Sequence, residues 1–153
     1  MRNRTQEKEL IFDDINFLIW QIMKIWIRGK QRLLDEFGLT ASQMEILSAI
    51  FHLSQRDQEI TQIMISNITH IDPMTTSTIL KNFQKKSLIT RKLSKTDTRA
   101  RVVEITNEGR KIFLDAATKI HTSTEMVFSQ LDRDVLKEQL QTLLNILTES
   151  SNN

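Results

Sequence analysis

The chain has 153 residues, with 21 Lys and Arg against 19 Asp and Glu and a formal net charge of +2. This length suits one domain with a sizeable core. There is no Cys, which excludes disulfides and thiol chemistry and fits a reducing compartment. With one Pro and three Gly, the composition favours a mostly helical chain and excludes a Gly-rich phosphate loop.

The most apolar stretch, residues 15–27, is interrupted by Asn16, Gln21 and Lys24. It is shorter than the roughly 20 apolar residues that a transmembrane helix needs. The acidic residues before it argue against a signal peptide. We therefore expect a cytoplasmic protein with no membrane partner.

Residues 8–36 are predicted to form one long helix that is apolar on more than one face. Its apolar residues include Ile11, Ile15, Leu18, Ile22, Ile25, Phe12, Ile19, Met23, Trp26 and Leu33. A helix that is apolar this far round must bury against more than one surface. A second subunit would provide the additional surface, and the alternative is the central core helix of a monomer.

Turn and capping signals divide the middle of the chain into three shorter helices. Gly38 ends the long helix, and Thr40 starts the next, with Met44, Leu47, Ile50 and Phe51 on its core face. A polar connection over residues 53–59 leads to a short helix at 61–69. Asp72 and Pro73 then give the start signal of a helix over residues 72–86.

The helix at 72–86 divides into an inward and an outward face. Helical spacing places Thr76, Ile79, Leu80 and Phe83 inside. The outward residues are small hydroxyls, an amide and cations, namely Thr75, Ser77, Thr78, Lys81, Asn82 and Lys85. Hydroxyls and amides reach base edges and Lys reaches phosphates, so this face suits a DNA major groove.

Two short strands, at 88–93 and 101–105, follow this helix and flank a polar loop. Residues 81–101 hold eight Lys and Arg against one acid, a net charge of +7 in a chain of +2. This order of helix, strand, basic loop and strand is typical of a winged helix-turn-helix, and the charge is that of a nucleic-acid-binding surface. The alternative is an ordinary solvated surface. The cations of this part beyond Lys85 that we expect to contact DNA are Arg91, Lys92, Lys95, Arg99 and Arg101.

Two further helices are predicted at 107–130 and after Asp132. Their apolar residues follow helical spacing, with Leu136, Leu140, Leu143, Leu144 and Leu147 in the last one. They carry the same apolar excess as the first helix. We therefore expect residues 8–36 and 107–149 to be dimerisation helices.

The wing and the residues after it resemble the MarR family of bacterial transcription regulators. The resemblance rests on Asp97-Thr98-Arg99 followed by Ile105-Thr106-Asn107-Glu108-Gly109, and it extends over roughly residues 39–113. His70 and Ser87 depart from the family by occupying turn positions where Gly is usual, so we expect left-handed backbone at both.

The resemblance implies further functional residues. It implies that Arg99 enters a minor groove. Asp97 and Arg99 are two residues apart in an extended wing and project to the same side, so Asp97 can pair with Arg99 and orient it. It also implies a pocket for a small aromatic ligand, for which Trp20, Met23 and Trp26 are candidates. The alternative for these three is plain core packing.

The sequence thus predicts a mostly α fold with a small β wing, a winged helix-turn-helix with long N- and C-terminal dimerisation helices. We expect one domain over residues 1–153, with the DNA-binding region at 39–106. The predicted function is a homodimeric regulator, a repressor, that binds an inverted-repeat operator in double-stranded DNA and is released by a small ligand. The alternative is a helical protein-interaction module. Neither an enzyme nor a cofactor is expected, and His52, His70 and His121 lie too far apart in sequence to indicate a metal site.

Overall fold

The computed structural model describes residues 14–56, 58–94 and 101–150. The helices, in chain order, are α1 (Ile15–Asp35), α2 (Ala41–Leu53), α3 (Gln62–Thr69), α4 (Pro73–Lys85), α5 (Asn107–Phe128) and α6 (Arg133–Ser150). The strands, β1 (Ile89–Leu93) and β2 (Arg101–Ile105), lie between α4 and α5. The predicted fold, mostly α with a two-stranded wing, is confirmed. None of the described helices is both long and apolar enough to cross a bilayer.

The described residues form two compact units, one that ends at residue 116 and one that begins at residue 117. In the first unit, α2 lies at the centre and packs against α1, α3, α4 and β2. Its buried residues are Met44, Ile46, Leu47, Ala49, Ile50 and Leu53. The second unit contains the end of α5 and all of α6, and no residue of α6 is buried.

Local side-chain caps determine where the helices begin. The Thr40 hydroxyl accepts from the Gln43 amide, and the Gln43 side chain accepts from the Thr40 amide, which makes a complete capping box. Thr61 caps α3 and Asp72 caps α4 in the same way, each accepting from the amide three residues on.

Three turn residues have left-handed backbone. Gly38 has φ +62° after α1, His70 has φ +54° after α3, and Ser87 has φ +58° after α4. The expectation for His70 and Ser87 is therefore confirmed. Each of the two holds a side chain in a conformation that costs on the order of 1 kcal/mol more than Gly would.

The wing is a two-stranded antiparallel sheet with an added short edge. Ile89 pairs with Ile105 and Leu93 with Arg101. On the other side of β2, Thr61 forms a bridge with Val102, and the Val103 amide donates to the Ile60 carbonyl at 2.8 Å. This edge joins the wing to the residues that start α3.

Two details differ from the sequence prediction. Leu53, predicted to lie in the polar connection, is the last residue of α2 and is buried, because its spacing from Ile50 continues the core face. Phe51, predicted to lie on the core face, is half-buried. Its ring contacts that of Phe113 on α5, with the ring centroids 4.5 Å apart.

Candidate nucleic-acid interface

Helix α4, which we call the recognition helix, has one buried face and one exposed face. Thr76, Ile79, Leu80 and Phe83 are buried as predicted. On the opposite side Thr75, Thr78, Lys81, Asn82 and Lys85 are exposed, whereas Ser77 is half-buried. The exposed side chains combine hydroxyl, amide and ammonium groups on one accessible surface. This surface has the donors and acceptors that base edges and phosphates require.

Polar contacts at the turn fix how the recognition helix lies against α3. The Ile71 carbonyl accepts from the hydroxyl of Ser66 on α3 and from the hydroxyl of Thr76 on α4. The Gln62 side-chain amide donates to the Pro73 carbonyl at 3.1 Å. This last bond joins the first residue of α3 to the first residue of α4, and the other two attach both helices to the turn between them. The two helices therefore form a fixed helix-turn-helix pair.

The start of the recognition helix is held by Asp72. Its Oδ1 accepts from the Thr75 amide at 2.9 Å. Hydrogen bonds from Thr75 lower the pKa of this carboxyl below its usual value, since they stabilise the charged form. Pro73, as the first helical residue, supplies a φ suited to the helix.

The cations predicted to bind DNA do not share one environment. Lys81, Lys85 and Arg101 are exposed. Lys92 is also exposed, and its ammonium lies 2.6 Å from a carboxylate oxygen of Glu104 on the neighbouring strand. Such an exposed ion pair contributes less than about 1 kcal/mol, so a phosphate can compete for the lysine. The candidates Lys95, Asp97 and Arg99 lie outside the described residues.

Arg91 differs from the other cations because it is half-buried. Its Nη2 donates to the side-chain carbonyl of Gln62 at 3.5 Å, and its Nε is buried without a hydrogen-bond partner among the described residues. Burial, followed by the neighbouring charge of Arg101, lowers the pKa of Arg91, although a guanidinium stays protonated. The structure therefore separates Arg91 from the exposed cations of the wing.

Thr106 and Gly109 form the junction between the wing and α5. The Thr106 hydroxyl donates to the carbonyls of Ser87 and Leu88 and accepts from the Gly109 amide at 3.0 Å. A Cβ on Gly109 would lie 2.1 Å from the Leu88 carbonyl oxygen, a distance that only glycine allows. The Ile-Thr-x-x-Gly pattern is thus a packing requirement, and the sequence interpretation did not assign it this role.

The candidate ligand residues Trp20, Met23 and Trp26 are all exposed on α1. The ring of Trp20 contacts that of Phe17, with centroids 5.9 Å apart, and the Lys24 ammonium lies 4.1 Å from the Trp20 ring centroid. Within this unit their alternative role as plain core residues does not apply. Their large exposed surface is available to a ligand or to another chain.

The sequence profile of the family described as transcriptional regulator SarA/Rot matches residues 28–116, more than half of the chain. The chain belongs to the SarA/Rot family. The match covers the helix-turn-helix, the wing and the Thr106–Gly109 junction of this SarA/Rot member. Two curated HTH-type transcriptional regulators of Bacillus subtilis (strain 168) are also similar to it. YdcH is 27% identical over 93 residues, which are 61% of this chain and 63% of YdcH.

YdgJ is 24% identical over 116 residues, 76% of this chain. The match spans just under two thirds of the length of either relative, 63% of YdcH and 66% of YdgJ.

Solved structures similar to this SarA/Rot chain share its fold. CouR bound to a 23-mer DNA duplex has a TM-score of 0.77 at 18% identity, covering 91% of this chain and 95% of CouR. The DNA complex of MepR from S. aureus has a TM-score of 0.75 at 21% identity, covering 89% and 96%. CouR from Rhodococcus jostii RHA1 bound to p-coumaroyl-CoA has a TM-score of 0.74 at 20% identity, covering 89% and 93%. The predicted winged helix-turn-helix fold is confirmed.

Proposed function

We propose that this protein is a homodimeric transcription regulator, a repressor, that binds double-stranded DNA through the recognition helix and the wing. The observation that carries the proposal is the division of the recognition helix, with Thr76, Ile79, Leu80 and Phe83 buried and its hydroxyl, amide and ammonium side chains exposed. The sequence supplies a net charge of +7 over residues 81–101. Membership of a family of transcriptional regulators supports it further.

The proposed contacts follow the geometry of a winged helix-turn-helix. Thr75, Ser77, Thr78 and Asn82 face base edges in the major groove, since residues on this helix reach the floor of the groove. Lys81, Lys85, Lys92 and Arg101 contact phosphates. Lys95, Asp97 and Arg99, which lie between the two strands in the sequence, remain predictions from the sequence.

Dimerisation is supported by the apolar surface that each unit leaves exposed. In the first unit α1 exposes Ile15, Leu18, Ile22, Ile25 and Ile27. In the second unit α6 exposes Val135, Leu140, Leu144, Ile146 and Leu147. Single exposed apolar side chains are ordinary, but rows of them on whole helices mark an interface. We therefore assign residues 8–36 and 107–149 to a two-fold dimer and residues 39–106 to DNA binding, all acting in the cytoplasm.

Release by a small ligand is a second part of this proposal. CouR, which shares the fold, has been crystallised with p-coumaroyl-CoA. Here Trp20, Met23 and Trp26 offer exposed aromatic and thioether surface on α1, which suits a planar aromatic ligand. A protein-interaction module that keeps the fold is the competing function, and it gives no reason for the charge concentrated on residues 81–101.

Selection of bound fragments from random duplex DNA tests the proposal. A two-fold dimer should select an inverted repeat with half-sites about 10 base pairs apart. Affinity for the selected duplex should fall by orders of magnitude between about 50 and 200 mM salt, because several phosphates are neutralised in each subunit.

A matched pair of lysine variants adds a control. Lys81→Ala should weaken binding and lower the salt slope, whereas Lys111→Ala, exposed on α5 outside the proposed contacts, should leave both unchanged. Failure to select any sequence, together with a flat salt dependence, would favour the protein-interaction module.

A further inference from the structure

Arg91 is less exposed than the other cations of the wing that the structure describes. It pairs with Val103 in the sheet, and Val103 is fully buried. Its neighbour Lys92 and the nearby Arg101 are exposed, whereas Arg91 is half-buried and its Nε atom is shielded from solvent. Nε is therefore shielded from a phosphate oxygen, and only the terminal nitrogens of the guanidinium are left to bind a partner. This burial distinguishes Arg91 from the exposed cations of the wing.

The partner of Arg91 explains its position. Its Nη2 lies 3.5 Å from Oε1 of Gln62, a long hydrogen bond, and Nε2 of the same amide donates to the Pro73 carbonyl at 3.1 Å. A glutamine side chain can accept one hydrogen bond and donate another at the same time. The Gln62 amide therefore accepts from Arg91 of the wing and donates to Pro73 of the recognition helix. Gln62 is the first residue of α3 and Pro73 is the first residue of α4. The bonds thus connect β1, α3 and α4 through one side chain.

The backbone around this connection supports it. Just before Gln62, Thr61 bridges Val102, and Ile60 accepts from the Val103 amide. Arg91 pairs with this same Val103 across the sheet. The start of α3 is therefore held against the wing by main-chain bonds, and the arginine and glutamine extend that attachment to the start of the recognition helix.

Burying part of a guanidinium, and leaving Nε without a partner among the described residues, costs free energy that an apolar side chain would avoid. Arg offers a planar group with several donors, which suits directional attachment better than a point charge does. The gain lies in orientation, since a recognition helix and a wing that dock together must both be ordered before or during binding.

We propose that Arg91 and Gln62 are positioning residues that fix the wing relative to the recognition helix, and that Arg91 does not bind phosphate. The proposal rests on the proposed DNA-binding function. Without this link, binding must also order the side chains that hold the wing, so affinity should fall by about 3- to 10-fold. The number of phosphate contacts stays the same.

The test compares four full-length variants on one duplex selected by the wild-type protein. They are Arg91→Met, Gln62→Met, the double variant, and Arg101→Met as a matched control on the same sheet. Affinity is measured over a range of salt concentrations. Arg91→Met and Gln62→Met should each lose about 3- to 10-fold with an unchanged salt slope, and the double variant should lose no more than either single variant. Arg101→Met should lower the slope by about 1 per subunit, because an exposed phosphate contact is removed.

Each other outcome overturns the inference. A lower salt slope for Arg91→Met would make it a phosphate contact, and additive losses would mean that the two side chains act separately. If Arg91→Met does not fold, Gln62→Met alone decides, since wild-type affinity for that variant contradicts the link. Failure of the proposed function is distinguishable, because the wild-type protein would then select no duplex at all.

Discussion

Replacing Gly109 by Ala should destabilise the protein, although Ala normally favours a helix over Gly. The added Cβ would lie 2.1 Å from the Leu88 carbonyl oxygen and 3.1 Å from a side-chain carbon of Ile105. To make room, the Leu88 carbonyl must shift by more than about 1 Å, since an ordinary contact requires about 3.5 Å. The same carbonyl accepts from the Thr106 amide at 3.1 Å and from its hydroxyl at 3.0 Å. The shift would therefore weaken both bonds.

The magnitude follows from these contacts. Overpacking costs about 1–3 kcal/mol, and each weakened hydrogen bond costs about 0.5–1.5 kcal/mol. Ala gains up to about 1 kcal/mol over Gly in a helix, so the net loss is about 1–5 kcal/mol. For a chain of this size that lowers the unfolding midpoint by roughly 2–20 °C.

Thermal unfolding followed by circular dichroism measures the effect, and Gly29→Ala is the matched control. Gly29 lies in the middle of α1 with no atom within 4 Å of an added Cβ. Ala there should stabilise the protein by about 1 kcal/mol and so raise the unfolding midpoint. The comparison is valid when sedimentation shows an unchanged oligomer. A Gly109→Ala midpoint equal to or above that of the wild-type protein would refute the reasoning.

Expected outcomes follow for five other variants. Ser87→Gly should stabilise the protein by about 1 kcal/mol and raise the unfolding midpoint, because glycine adopts the left-handed backbone at φ +58° without the steric cost of a side chain. Because the pKa of Asp72 is lowered in the folded state, its carboxylate stabilises the fold above the usual pKa of 3.8, and this stabilisation is lost as pH falls through the folded-state pKa. Asp72→Asn keeps the cap but does not titrate, so its stability should lack this dependence on acid pH. Leu144→Glu should shift the sedimentation coefficient from dimer towards monomer, and a dimer that persists would exclude α6 from the interface. In the loop of the wing, Arg99→Ala should cost about 1–3 kcal/mol of DNA affinity, and Asp97→Ala should also weaken binding; tighter binding by the latter would refute the orienting role of Asp97.

The sequence by itself determined the features that depend on contacts within a few residues. The cap of Asp72 on the Thr75 amide and the Thr40–Gln43 capping box follow from spacings of three residues. The left-handed backbone at Ser87 is instead what the resemblance to the MarR family implies. The division of the recognition helix into a buried and an exposed face follows from helical periodicity. Caps and helical faces can be predicted because they depend only on the identity and spacing of residues that are close in sequence.

Only the tertiary structure decided which side chains of the wing are buried or attached elsewhere. Counting charges placed Arg91 with Lys92, yet Arg91 contacts Gln62, 29 residues away, while Lys92 pairs with Glu104. Gly109 must be glycine because Leu88, 21 residues earlier, passes within 2.1 Å of its missing Cβ. These roles arise where elements distant in sequence pack together, and residue spacing along the chain carries no record of that approach.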